Sequence, residues 1–131
     1  MSEQVPADLR YTKDHEWARD GGAEVTVGIT AFAVEQLGDI TLVNLDVKAG
    51  DELIAGKAFG TIESVKTLSD LFAPVTGKVV RVNADLEGKP ELVNEDCWKA
   101  WMIAIEPAER AAVDKLMDSK TYAEHVKASA H

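Results

Sequence analysis

A chain of 131 residues and 14.2 kDa has room for one domain. Hydrophobic residues make up 46% and charged residues 28%, a globular balance that excludes disorder and fibrous repeats. A net charge of −9 repels phosphate backbones and anionic lipid, and the lone Cys97 permits neither an internal disulfide nor a cysteine-rich zinc site.

In chain order, Met1-Ser2-Glu3-Gln4-Val5-Pro6 has neither the basic and apolar regions of a signal peptide nor an Arg-rich transit character. No later apolar run approaches the roughly 20 residues of a membrane span. A cytoplasmic protein without nucleic-acid or membrane partners is the expectation. Ala23–Val27 alternates as a half-buried strand after the Gly21-Gly22 turn. Thr30 is placed to cap a short helix through Phe32, Val34 and Leu37, with Gly38 to end it. Ile40–Leu45 reads as a second alternating strand. Glycines at 50, 56, 60, 77 and 88 then punctuate short apolar runs such as Leu53-Ile54 and Val79–Val82. That pattern argues for an antiparallel sandwich or small barrel. Trp101–Ile105 is expected as the last strand. Pro107 suits the first turn of a helix striped by Ala112, Val113, Leu116 and Met117. Ser119 is expected to cap a further turn carrying Tyr122 and Val126, before a fraying tail. Trp17 and Trp101 read as core aromatics.

The usual chemistry finds little footing. His15, His125 and His131 are far apart in sequence, and none pairs at ligand spacing, so no metal site is expected. Cys97 lies between Asp96 and Trp98, where a carboxylate discourages the thiolate an enzyme would need. Glu63 and Asp70 are an isolated acid/base possibility. His15 is expected to bond locally. The acid excess lies wholly in residues 1–106, which hold 19 acids against 10 bases. This reads either as a solvated surface or as steering toward basic partners.

The most informative stretch is Gly60–Gly77. Turn rules leave Lys66 ambiguous, because the Asn-Gly or Asp-Gly of a tight hairpin is absent. Glu63-Ser64-Val65-Lys66 followed by Ser69–Gly77, however, closely resembles the lipoyl-attachment region of the glycine cleavage system H-protein family. Tyr11–Trp17, Val27–Thr30 with Gln36–Ile40, and Pro90–Asp96 resemble further motifs of that family in the same order. The likeness covers about residues 9–106 as a core, with a C-terminal helical region over 107–127, in one domain spanning 1–131.

The resemblance implies a mainly β, lipoyl-domain-like sandwich (a barrel-sandwich hybrid) with a short internal helix and a C-terminal helix. It implies a non-catalytic carrier with lipoate in amide linkage on Lys66, and with Glu63 and Asp70 around the lipoyl turn. It places Glu16, Asp14 and Asp70 in a cleft that receives the loaded arm. Implied partners are a glycine decarboxylase (P protein), a tetrahydrofolate-dependent aminomethyltransferase (T protein), dihydrolipoamide dehydrogenase (L protein), and a lipoate ligase or octanoyltransferase. The chain departs from the family at Cys97–Trp101, which lacks the usual Pro and two glycines. That leaves an H-like relay of lipoyl groups as an alternative, beside an unmodified interaction module. A biotin carrier fits less well, because Val65 and Thr67 flank Lys66 where such domains resemble Met-Lys-Met.

Overall fold

The computed structural model describes residues 5–129. Nine strands form two antiparallel sheets. The larger holds β1 (Arg10–Tyr11), β2 (Glu16–Asp20), β3 (Val25–Ile29), β5 (Glu52–Leu53), β8 (Gly77–Val82) and β9 (Ile103–Pro107), in the order β1-β2-β3-β9-β8-β5. The smaller holds β4 (Ile40–Leu45), β6 (Ala58–Ser64) and β7 (Leu68–Phe72), in the order β4-β6-β7. Alternation along these strands sends Val25, Val27, Val43, Ile62, Leu71, Val79 and Ile105 into one core between the sheets. Each such side chain, fully buried, contributes roughly 1.5–3 kcal/mol before the entropy of ordering is set against it.

The helices are short: α1 (Ala31–Leu37), α2 (Asp85–Gly88), α3 (Glu91–Glu95), α4 (Arg110–Asp114) and α5 (Ser119–Ser129). Helix α1 keeps the expected punctuation. Thr30 Oγ1 accepts the Ala33 N–H, and Gly38 closes the helix at φ 83° and ψ −148°. That backbone region is open to glycine almost alone.

Several expectations at the C-terminal end need correction. The last strand runs Ile103–Pro107, two residues beyond the span expected. Pro107 therefore ends β9 opposite Gly77 and does not begin a helix. Pairing with β3 has already stopped at Ile105, so the missing N–H of Pro107 leaves no ladder bond unmade. The apolar stripe does not make one helix: α4 ends at Asp114, and Met117 instead exchanges two backbone hydrogen bonds with Tyr11, both 2.9 Å. Asp118, not Ser119, caps α5, accepting the Thr121 N–H at 2.9 Å. The helix then runs to Ser129, well past the single turn expected; the last two residues of the tail lie outside those described.

A second, aromatic core sits beside the first. Leu9, Tyr11, Trp17 and Tyr122 are buried there, with Trp98, Trp101, Met117 and Val126 packed around them. Trp17 is fully buried as expected, whereas Trp101 is half-buried beneath the Arg81 guanidinium. The departing loop closes on this cluster. Trp17 Nε1 donates to the Cys97 carbonyl at 3.0 Å, and Arg19 donates to that of Trp98 at 2.9 Å. Cys97 is buried, in keeping with a packing role.

Candidate functional site

Strands β6 and β7 are joined by Val65-Lys66-Thr67, which puts Lys66 at an exposed hairpin tip. The loop has no glycine, and Ser64 supplies the missing turn chemistry. Its buried hydroxyl accepts the N–H groups of Lys66 (3.1 Å) and Thr67 (3.2 Å), while its own N–H donates to the Thr67 carbonyl (2.8 Å). Val65 N–H donates to the Asp39 carbonyl at 3.0 Å, tying the tip to the segment after α1. The Lys66 stem lies over Gly38, close enough that a Cβ there would stand 3.2 Å from Lys66 Cε.

A cleft of about 680 Å³ opens between the Lys13–Glu16 turn, helix α1 and the free edge of β7. Its apolar lining includes Ile29, Phe32, Leu37, Ile62 and Leu71, and its polar lining includes Asp14, Glu16 and Asp70. Asp14, Glu16 and Asp70 are thus brought together. Glu63 is not; it stands on the outer face of β6 between Leu42 of β4 and Leu68 of β7. Asp70 pairs with Thr61, two residues further along, so Glu63 and Asp70 are not opposed as an acid/base couple.

Glu16 is only 2% exposed. One carboxyl oxygen accepts from the Thr12 hydroxyl at 2.8 Å and the other from the Phe72 N–H at 3.1 Å, which bridges the two sheets across the cleft floor. Burial pushes its pKa up to about 7; the two hydrogen bonds oppose that rise, and the charge of Asp14 adds to it. Near neutral pH this carboxyl is poised between its neutral and charged forms.

The His15 ring does not bond locally in the chain: its Nδ1 meets the hydroxyl of Tyr122, 107 residues away, at 2.8 Å. The sequence separation of the histidines misleads as well: α5 returns His125 to within 5.4 Å of the His15 ring. Burial first, and then the neighbouring His125, lower the His15 pKa against the opposing charge of Asp14, and the net shift favours the neutral ring. No cluster of metal-ligating side chains occurs among the described residues.

Sequence reasoning missed Thr12, Ser64 and Gly38 as parts of the site. Ser64 carried the readable signal, a hydroxyl before a glycine-free loop; Thr12 acts four residues before Glu16 through a turn that no periodicity marks.

Comparison with known proteins accounts for this arrangement. Residues 9–129 match the family described as Glycine cleavage H-protein. The chain is 49% identical to the glycine cleavage system H protein of Bacillus licheniformis, over 94% of this chain and 97% of that one. It is 48% identical to that of Bacillus subtilis, over 92% and 94%.

The chain belongs to the glycine cleavage H-protein family.

A solved H protein from Mycobacterium marinum, 36% identical, superposes with a TM-score of 0.81, covering 97% of this chain and all of that one. The mainly β, two-sheet H-protein fold with a C-terminal helix is therefore the one expected from the resemblance. The family's role is that of lipoyl carrier in glycine cleavage.

Proposed function

We propose that Lys66 bears lipoate in amide linkage and that the protein presents this arm in turn to glycine decarboxylase, the aminomethyltransferase and dihydrolipoamide dehydrogenase. The observation that carries the reading is the placement of Lys66: an exposed primary amine on a braced three-residue tip, its stem packed over Gly38 at the end of the helix whose Leu37 lines the cleft. The residues present fit the group. An amide on Nζ would remove the ammonium, so Leu37, Phe32 and Leu71 of the cleft could hold the arm without a charge to desolvate. When bound, the dithiolane supplies the sulfur chemistry by which an aminomethyl group is taken up and handed on.

The protein's own part is presentation and shelter. Ser64 holds the tip rigid, so that the arm swings from a fixed root. The apolar wall excludes water from a hydrolysable cargo, and Asp14, Glu16 and Asp70 supply acceptors for a terminal ammonium. Glu16 is suited to this because an arriving cation favours its ionised form. The protein thus works as a carrier, with a lipoate ligase or octanoyltransferase installing the arm. The chemistry is intracellular and cytoplasmic in this reading.

Intact mass and peptide mapping of protein from lipoylation-competent cells test the proposal directly. A lipoyl or octanoyl increment confined to Lys66 is expected. The variant Lys66→Arg keeps a cation but has no acylable amine, so it should fold normally and lose both the increment and glycine–bicarbonate exchange. Exchange above background in that variant means that Lys66 is not the attachment point.

A further inference from the structure

Two walls of the cleft are joined by one side chain that does not line it. The Tyr122 hydroxyl of α5 meets His15 Nδ1 at 2.8 Å and Thr30 Oγ1 at 2.6 Å. His15 belongs to the turn that carries Asp14 and Glu16; Thr30 is the N-cap of α1, the helix that carries Phe32 and Leu37. Both bonds can form at once: Thr30 donates to the phenolic oxygen while accepting the Ala33 N–H, and the phenol donates to the neutral imidazole. The phenol is itself fixed. Its ring is buried and stacked on Tyr11 at 4.6 Å with an interplanar angle of 13°. His15 needs such fixing, since it is a non-glycine residue held at positive φ, 68°, with its ring against Phe32 at 4.7 Å and His125 at 5.4 Å. His125 Nε2 in turn meets the Lys13 carbonyl at 3.1 Å, a second tie from α5 to the same turn. A backbone kept in a sparsely populated region beside a ligand cleft requires surroundings that over-determine it.

We propose that Tyr122 is a positioning residue for the cleft, its hydroxyl setting the separation of the Asp14–Glu16 wall from the α1 wall and so coupling the C-terminal helix to retention of the cargo. This rests on the carrier reading given above.

Tyr122→Phe tests it, because it keeps the ring and the stack on Tyr11 and removes only the shared oxygen. In the unlipoylated protein, the His15 ring nitrogens should change their 15N shifts, and the Glu16 carboxyl should titrate lower, toward the ordinary glutamate range, as the wall loosens. In the loaded protein, aminomethyl loss should be about fivefold faster than in wild type, the scale of one buried hydrogen bond, while the extent of Lys66 modification is unchanged. Val126→Ala, on the same helix and packed in the same aromatic cluster, lowers stability without touching the hydroxyl and serves as the control. It should leave both the Glu16 titration and the decay rate at wild-type values. An unchanged Glu16 midpoint and decay rate in Tyr122→Phe overturns the proposal. So does equal acceleration by Val126→Ala, which would mean general loosening. Wild-type protein that releases its cargo as fast as free lipoamide overturns the sheltering reading itself, a result visible before any Tyr122 variant is made.

Discussion

Glu16 is a carboxyl whose proton is held by the fold. Its ordinary pKa of 4.5 is raised to about 7, chiefly by burial. Between those values the folded chain keeps a proton that the unfolded chain has released, so this residue's share of stability is present below pH 4.5 and is lost as pH rises through about 7. The loss is about 3 kcal/mol. His15 acts in the opposite sense: its pKa is lowered from 6.5, so its share is full above 6.5 and lost as pH falls through its lower folded value. Comparing wild type with Glu16→Gln isolates the first effect. Glutamine can still accept from the Phe72 N–H while its amide donates to Thr12. Urea unfolding at about pH 5 and pH 8 should show wild type losing stability relative to the variant by roughly the amount above. A pH-independent difference between the two would place the Glu16 titration outside this range. The same variant, lipoylated normally, should lose its cargo several-fold faster, because the acceptor for an ammonium has gone. Of this chemistry the sequence disclosed the carboxylates through family resemblance alone. The Thr12 and Phe72 contacts, which hold the carboxyl and temper the rise that burial imposes, come from a loop and from a strand in the other sheet, and no local pattern joins them.

At the scale of elements, the hairpin carrying Lys66 depends on two residues at its root. Ser64→Ala deletes the acceptor of two N–H groups in a glycine-free loop, and should destabilise the protein by about 1–3 kcal/mol. Amide hydrogen exchange should report the change specifically at Lys66 and Thr67; protection retained there would mean that the loop is held by strand pairing alone. Gly38→Ala forces a Cβ into a backbone region reserved for glycine and against the Lys66 stem, at a cost of roughly 1–3 kcal/mol. Its modified form should also show a reoriented arm root by NMR. Elements with strong local signals were legible: the Thr30–Gly38 helix and the Ile40–Leu45 strand stand within a residue of expectation. The C-terminal third was not, for a tertiary reason. Helix propensity favoured continuation through Met117, but the backbone of Tyr11 offered that residue two hydrogen bonds, and the aromatic cluster offered its side chain a partly buried place. Likewise His125 reached His15 only because β1 and α5 pack together, a contact across more than a hundred residues that spacing cannot reveal.

For the whole molecule, the charge of −9 is unevenly placed, and its excess lies outside the C-terminal helical region. Around the hairpin tip it meets apolar surface. Leu42, Val65 and Leu68 are 44%, 67% and 61% exposed, and Leu42 and Leu68 flank Glu63 in one row across the smaller sheet. Amidation of Lys66 would remove a cation from this end and leave Asp39, Glu63 and Asp70 less opposed. A partner suited to that surface has an apolar entrance rimmed by basic side chains. Its encounter with this chain should, under the proposed function, be steered by charge and held by the leucines. Under the proposed function, association with glycine decarboxylase should slow as ionic strength rises from about 0.01 M to about 0.15 M, over which the Debye length contracts from about 30 Å to about 8 Å. Dissociation should change far less. Stopped-flow measurements on the lipoylated protein separate the two constants. Glu63→Gln should lower the association rate and flatten its salt dependence without altering cargo retention, since Glu63 stands outside the cleft. Leu68→Ala should instead raise the dissociation rate at every salt concentration. An association rate indifferent to salt would assign recognition to the leucines alone and return the acidic surface to a role in solubility.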